Sequence, residues 1–263
     1  IKNMDLDKAR EENQSYTIEF LMGSTDDNGA LFFCNGVLEK LQEYLDDGTL
    51  VCKSGNMTFD STGILRWDQD AAQAKMKSIL DEFYQEEKTP NIIITASDEF
   101  AIGVQELLEE RGILSDSEEW PVITGYGSEM QAVKDVAEGK ITLTTYLDRK
   151  ELAQGGAKMA LDYLAGEKVD VKDYSQYDNG TKIVGTFTCG AQLIDKDNYQ
   201  ILVDNGTYDE EEIKPDPTPT ATPEPTSTPE PTLTPEVTSD PEATITPKAT
   251  VTPTASGTPA ATD

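Results

Sequence analysis

Twelve of the 14 prolines lie between Pro215 and Pro259, so the part of the 263-residue chain able to build a packed core ends near residue 210. Proline fixes φ and removes a backbone donor, and the repeats around it (Pro-Thr-Pro-Thr-Ala-Thr-Pro-Glu-Pro-Thr and variants) carry almost no large apolar side chain. From Lys214 onward 50 residues at ~3.1 Å each would reach roughly 150 Å as an extended, polyproline-like chain. Two readings of residues 209–263 stand side by side. One is a cell-surface stalk whose threonines carry sugars; the other is a plain disordered linker to a further domain. What precedes has room for one or two lobes.

Within that part, strand and helix patterns alternate. Thr17 to Met22 reads as a strand, and Leu31, Cys34, Leu38, Leu41 and Leu45 recur at helical spacing before Asp46-Asp-Gly48 stops the run. Leu50 to Lys53 is a short strand, Ser54 to Trp67 a polar, glycine-containing loop, and the next helix places Ala72, Met76, Ile79, Leu80 and Phe83 on one face. Ile92-Ile-Ile-Thr-Ala96 is the kind of continuous apolar run that is buried on both faces of a parallel sheet. Asp98 is the expected N-cap of a helix with Phe100, Val104, Leu107 and Leu108 inward. Val122 to Gly125 is a strand, Ser128 to Glu138 a helix with Met130, Val133 and Ala137 inward, and Ile141 to Leu147 another strand. A helix from Asp148 to Leu164 closes at Gly166; Lys182 to Phe187 reads as a strand and Gln192 to Val203 as a last apolar segment. The fold class expected is α/β, a mainly parallel sheet flanked by helices.

Composition excludes several functions. The formal charge of −29 repels nucleic acid, and most of the excess lies in the first 210 residues. No histidine is present, which removes serine triads and His-ligated zinc. Cys34, Cys52 and Cys189 are odd in number and widely spaced, so no disulfide framework or CxxC site is indicated. Three small buried apolar residues is the simpler reading, with a Cys34–Cys52 disulfide as the alternative. Gly125-Tyr-Gly127 lacks the third glycine of a dinucleotide fingerprint, and no Gly-Lys-Ser/Thr loop occurs, so no cofactor is expected. No run of 18 apolar residues occurs, so no transmembrane helix is expected.

The carboxyl edge of a parallel sheet gathers the strand ends into one crevice, here Ser24 to Asn28, Ser97-Asp98, Tyr126 to Ser128 and Leu147-Asp148. Short polar residues at such ends are helix caps first and ligand contacts second. Trp67, in Ile-Leu-Arg-Trp-Asp-Gln-Asp, has no periodic reason to be core. It reads either as a hydrophobic staple onto the following helix or as a flat wall on which the C–H face of a sugar stacks. Trp120, before Pro121, reads as structural.

These residues resemble the type I periplasmic sugar-binding proteins of bacterial ABC importers, in the multiple-sugar and xylose-binding branch. The matching segments are Gly23-Ser-Thr-Asp-Asp-Asn-Gly-Ala30, Lys53-Ser-Gly55 with Gly63-Ile-Leu-Arg-Trp-Asp68, and Ser97-Asp98 before Ala101-Ile-Gly103. They continue with Val122-Ile-Thr-Gly-Tyr-Gly-Ser-Glu129, Arg149-Lys-Glu-Leu-Ala153 and Asn179-Gly180 with Lys182-Ile-Val184. The resemblance implies two α/β lobes closing on a sugar by a hinge. It implies that residues 15–208 are one such α/β domain, that 1–14 are the end of an upstream lobe or connection, and that most of the amino-terminal lobe is missing. By the same resemblance Asp27, Asn28, Trp67, Ser97 and Asp98 contact the sugar, with no metal and no catalytic residue. Gly29, Gly127 and Leu147 stand where relatives hold Asn, Asp and Lys or Asn. A lost charge-assisted hydrogen bond costs ~1.5–3 kcal/mol, so the ligand or its affinity should differ from an ordinary hexose site.

The expected function is a monomeric, extracytoplasmic solute-binding protein that hands a mono- or oligosaccharide to an ABC permease, secreted or lipid-anchored through a signal upstream of Ile1. A surface sugar sensor that presents its bound state to a receptor is the alternative. A carboxylate-based glycosidase would need two acids facing one bond, and Asp26, Asp27 and Asp98 show no such division of roles.

Overall fold

The computed structural model describes residues 4–169, 171, 173–175 and 177–215; the Pro/Thr-rich repeats fall outside them from residue 216 on. Helix α1 (Leu6–Glu11) leads into β1 (Tyr16–Leu21), α2 (Asn28–Asp46), β2 (Leu50–Val51), the one-turn α3 (Phe59–Thr62), α4 (Gln69–Phe83) and β3 (Ile92–Thr95). Then come α5 (Asp98–Glu110), β4 (Val122–Thr124), α6 (Met130–Glu138), β5 (Leu143–Leu147), α7 (Arg149–Ala165), β6 (Ala191–Asp195) and α8 (Ile201–Asp204). The sheet order is β2-β1-β3-β4-β5-β6; β1 to β5 are parallel and β6 runs antiparallel on β5. This is the expected α/β class, and it aligns the carboxyl ends of five strands along one edge.

Alternation along the strands divides the core in two. Leu21, Ile93 and Ile123 pack with Met76, Leu80, Phe100, Val104, Leu108 and Val136 from α4, α5 and α6. Ile18, Phe20 and Ile92 pack with Leu6 of α1 and Cys34, Leu41 and Tyr44 of α2. Each such side chain, fully buried, contributes about 1.5–3 kcal/mol of transfer free energy. Glu19 breaks the apolar run of β1 yet is 0% exposed. Its carboxylate accepts from the Tyr84 hydroxyl at 2.8 Å and the Ser54 amide at 3.0 Å, which ties the loop after β2 to the sheet.

Several local expectations are corrected. Ser97, not Asp98, caps α5: its Oγ accepts from the Phe100 amide at 3.2 Å. The buried face of α6 is Ala132, Val133 and Val136, with Met130 40% exposed. The helix starts at Met130, after Ser128 at φ 53°. The loop Ser54 to Trp67 holds α3, closed by a Thr58–Ser61 capping box, and a 3-10 turn at Leu65–Trp67. Lys182 to Phe187 adds no strand to the sheet, since β6 already occupies the edge of β5; Ile183 and Thr186 make only isolated bridges to Asp178 and Asp173. Cys34 is buried, Cys52 and Cys189 are half-buried, and none of the three is in a disulfide. Packing also runs past both ends of the 15–208 range: Leu6 joins the α2 core, and Ile213 packs with Val133, Ile194 and Leu202.

Candidate functional site

Two turns are pinned together at the end of β1. Met22 and Gly63 form a parallel bridge, with the Met22 amide donating to Thr62 O at 3.0 Å and the Ile64 amide to Met22 O at 3.1 Å. This carries the 3-10 turn across the Ser24–Asn28 turn. Arg66 and Trp67 both sit in the left-handed region, at φ 61° and 56°, and the Arg66 amide donates to Ser24 Oγ at 2.7 Å. Non-glycine residues with positive φ are strained and persist only where surroundings over-determine them.

The result joins two candidate residues 40 positions apart: the Trp67 indole Nε1 donates to Asp27 Oδ2 at 3.2 Å. Asp27 also caps α2, its Oδ1 accepting from the Gly29 amide at 2.7 Å. The indole lies over the backbone of Gly23, where a Cβ would come within 2.1 Å of the ring, so only glycine fits beneath it. Its ring centroid is 6.0 Å from that of Phe100, with the planes tilted by 31°. Trp67 is therefore half-buried between the β1 turn and α5, partly core and partly wall. Asn28 opens α2 with an exposed side chain, and Ser97 is half-buried at the end of β3.

Asp98 is placed differently from the other candidates. It is 1% exposed, with Oδ1 accepting from Thr144 Oγ1 at 2.6 Å and Oδ2 from the Glu129 amide at 2.7 Å. Burial pushes its carboxyl above the usual carboxylate range, against the lowering effect of the bonds from Thr144 and the Glu129 amide. A Cβ on Gly125 would fall 2.2 Å from Oδ1, so the glycine at the end of β4 makes room for this carboxylate. Asp98 thus clamps α5, the turn after β4 and β5 into one block.

Residues 6–168 match the model of the periplasmic binding protein domain. The chain belongs to the periplasmic binding protein family. Over 200 residues it is 34% identical to the multiple sugar-binding periplasmic receptor ChvE of Rhizobium radiobacter and 36% identical to the multiple sugar-binding periplasmic protein SbpA of Azospirillum brasilense. Each match covers 76% of this chain and 56% of the relative, so the chain spans little more than half the length of these proteins. A solved ABC transporter solute-binding protein from Clostridium phytofermentans, with bound β-D-glucose, superposes with a TM-score of 0.72 at 30% identity. That superposition covers 80% of this chain and 64% of the other.

In this periplasmic binding protein the sheet edge also holds aromatic groups that strand and helix patterns do not single out. Phe33 of α2 meets Tyr126 edge-on, with centroids 5.4 Å apart, midway along the strand ends. Phe33 is half-buried on α2, where it also packs against the core beside Val37 and Leu38, so helical periodicity gives no hint of this contact. The aromatic at the centre of Gly125-Tyr-Gly127 was the available signal.

Proposed function

We propose that the chain forms one sugar-contacting lobe of an extracytoplasmic solute-binding protein that captures a mono- or oligosaccharide and delivers it to an ABC permease. The observation that carries this reading is the Trp67–Asp27 pair at the carboxyl edge of the sheet. An indole face offers dispersion contact to sugar C–H groups, and a carboxylate with free lone pairs accepts sugar hydroxyls. The sugar-binding relatives and the glucose-bound solute-binding protein support it. Asp27, Asn28, Trp67 and Ser97 make the contacts, and Asp98 positions the turn beside them. The protein works as a monomer and binds without chemistry, since Asp27 and Asp98 are engaged in capping and clamping rather than set as an acid and base pair.

Trp67 and Trp120 are the only tryptophans, and the Trp120 indole donates to Lys140 O at 2.8 Å, away from the sheet's carboxyl edge. In a Trp120→Phe background, indole emission therefore reports Trp67 alone. Titrating the 263-residue chain with D-glucose, D-galactose, D-xylose and L-arabinose to millimolar concentrations should change that emission saturably for at least one sugar. Trp67→Leu, which keeps apolar bulk but removes the flat face, should weaken binding about threefold to tenfold, from ~0.5–1.5 kcal/mol of aromatic contact. Flat emission together with unmoved backbone chemical shifts for every sugar would end the proposal.

A further inference from the structure

The turn that carries Trp67 is the connection between α3 and α4, and one side chain joins the two helices across it. Lys75, in the second turn of α4, donates from Nζ to the Ser61 carbonyl of α3. It is half-buried, and burial alone pulls its ammonium below the usual lysine range. The chain has 50 acidic residues, yet among the described residues Lys75 makes no ion pair. An ammonium drawn partly out of water toward a neutral carbonyl is unfavourable by itself, so this placement calls for a role.

What Lys75 holds is the end of α3. That helix is a single turn of four residues, too short to stand by itself. Three of its carbonyls are engaged where it ends: the Gly63 amide donates to Phe59 O at 2.8 Å, Lys75 to Ser61 O, and the Met22 amide to Thr62 O at 3.0 Å. The last bond belongs to the Met22–Gly63 bridge that carries the Trp67 turn, so Lys75 braces this bridge from the α4 side. Packing here is close: a Cβ on Gly63 would fall 2.5 Å from Thr25 Cγ2, so a shift of α3 is felt in the Ser24–Asn28 turn. Arg66 and Trp67 hold their positive φ only while both flanks of the turn are fixed. The upstream flank is α3 and the downstream flank is α4, and Lys75 fixes the one to the other.

We infer that Lys75 is a positioning residue for sugar binding: by tying α3 to α4 it keeps the Trp67 indole seated on Gly23 and against Asp27, and it acts on the ligand only through Trp67. The inference rests on the sugar-binding reading of that indole. Its test compares the parent 263-residue chain, Lys75→Met and Lys75→Arg, all in the Trp120→Phe background where emission reports Trp67 alone. Methionine keeps an apolar stem and removes the donor; arginine keeps a cationic donor of similar reach. Acrylamide quenching of Trp67 and NMR titrations with D-glucose, D-galactose, D-xylose and L-arabinose are read well below each chain's melting temperature, where a loss of stability alone moves neither. Lys75→Met should raise the quenching constant about twofold as the turn opens locally. It should weaken the best sugar about threefold to tenfold, and Lys75→Arg should restore most of both. Should Lys75→Met fail to fold, Lys75→Gln, with a polar tip on a shorter stem, is read by the same criteria. Quenching or affinity that stays at the parent value, or an arginine variant that behaves like the methionine one, overturns the inference while leaving sugar binding intact. A parent chain that binds none of the sugars overturns the sugar-binding reading and the role of Lys75 with it.

Discussion

At the scale of single residues, the sharpest contrasts are between acids left exposed and acids that the fold has swallowed. Asp27 remains exposed and keeps acceptor capacity after capping α2, whereas Asp98 gives both oxygens to the protein. Asp135 of α6 goes further: it is 2% exposed, Oδ1 accepts from Gln131 at 3.1 Å, and Oδ2 has no partner. Burial raises its carboxyl to about 6, with Gln131 and Lys140 opposing and Glu138 and Glu109 adding to the rise. A carboxyl whose folded value lies above its unfolded one of ~3.9 binds its proton more tightly when folded, so its stabilisation is complete below about pH 4 and is lost as pH rises through about 6. Over that window the loss amounts to up to ~3 kcal/mol. Asp135→Asn should be more stable than the parent chain at pH 7.5 and should flatten the decline between pH 4 and 7. Urea midpoints at three pH values read this directly, and parallel profiles for the two proteins would contradict it.

At the scale of elements, caps decide where helices begin, and so which side chains are left for ligands. Ser97 both caps α5 and stands at the end of β3, and two substitutions separate these roles. Ser97→Ala should cost about 1 kcal/mol through the lost bond to the Phe100 amide, whereas Ser97→Asn, an equally good cap, should cost only a few tenths. A sugar affinity that falls equally in both, with stability so divided, assigns the hydroxyl to the ligand; equal stability of the two variants would refute the capping role. Element type was largely legible because the signals are local. The apolar stripe Ala72, Met76, Ile79, Leu80 runs in register with α4, and Gly166 ends α7 at φ 72°. The errors arose where a distant contact overrode a local pattern. Ser128 lost its place in α6 to bonds with Thr144 and Tyr208, and residues 182–187 lost the sheet edge to β6. The loop before Trp67 was structured by its bridge to Met22.

At the scale of the whole molecule, the packed body closes only with the segment after α8. Ile213 is 0% exposed against Val133, Ile194 and Leu202, just before the proline repeats begin. Ile213→Ala should destabilise by about 2–5 kcal/mol, the usual cost of truncating a buried isoleucine. A change below ~0.5 kcal/mol in urea unfolding would show that the core ends earlier. Helix α7 buries none of its residues, with Leu152, Leu161 and Leu164 exposed, in a chain that spans 56% of its sugar-binding relatives.

The sequence by itself determined the alternating elements, the parallel sheet, the family and the edge along which the strand ends gather. Periodicity, caps and breakers act within a few residues, and sheet topology follows from their order. Tertiary structure decided the chemistry of that edge. Only the Met22–Gly63 bridge sets Trp67 on Gly23 and against Asp27, and only tertiary packing makes Asp98 a buried clamp between α5, the turn after β4 and β5. Whether a polar side chain faces a ligand or the protein depends on partners tens of residues away, and no local pattern encodes them.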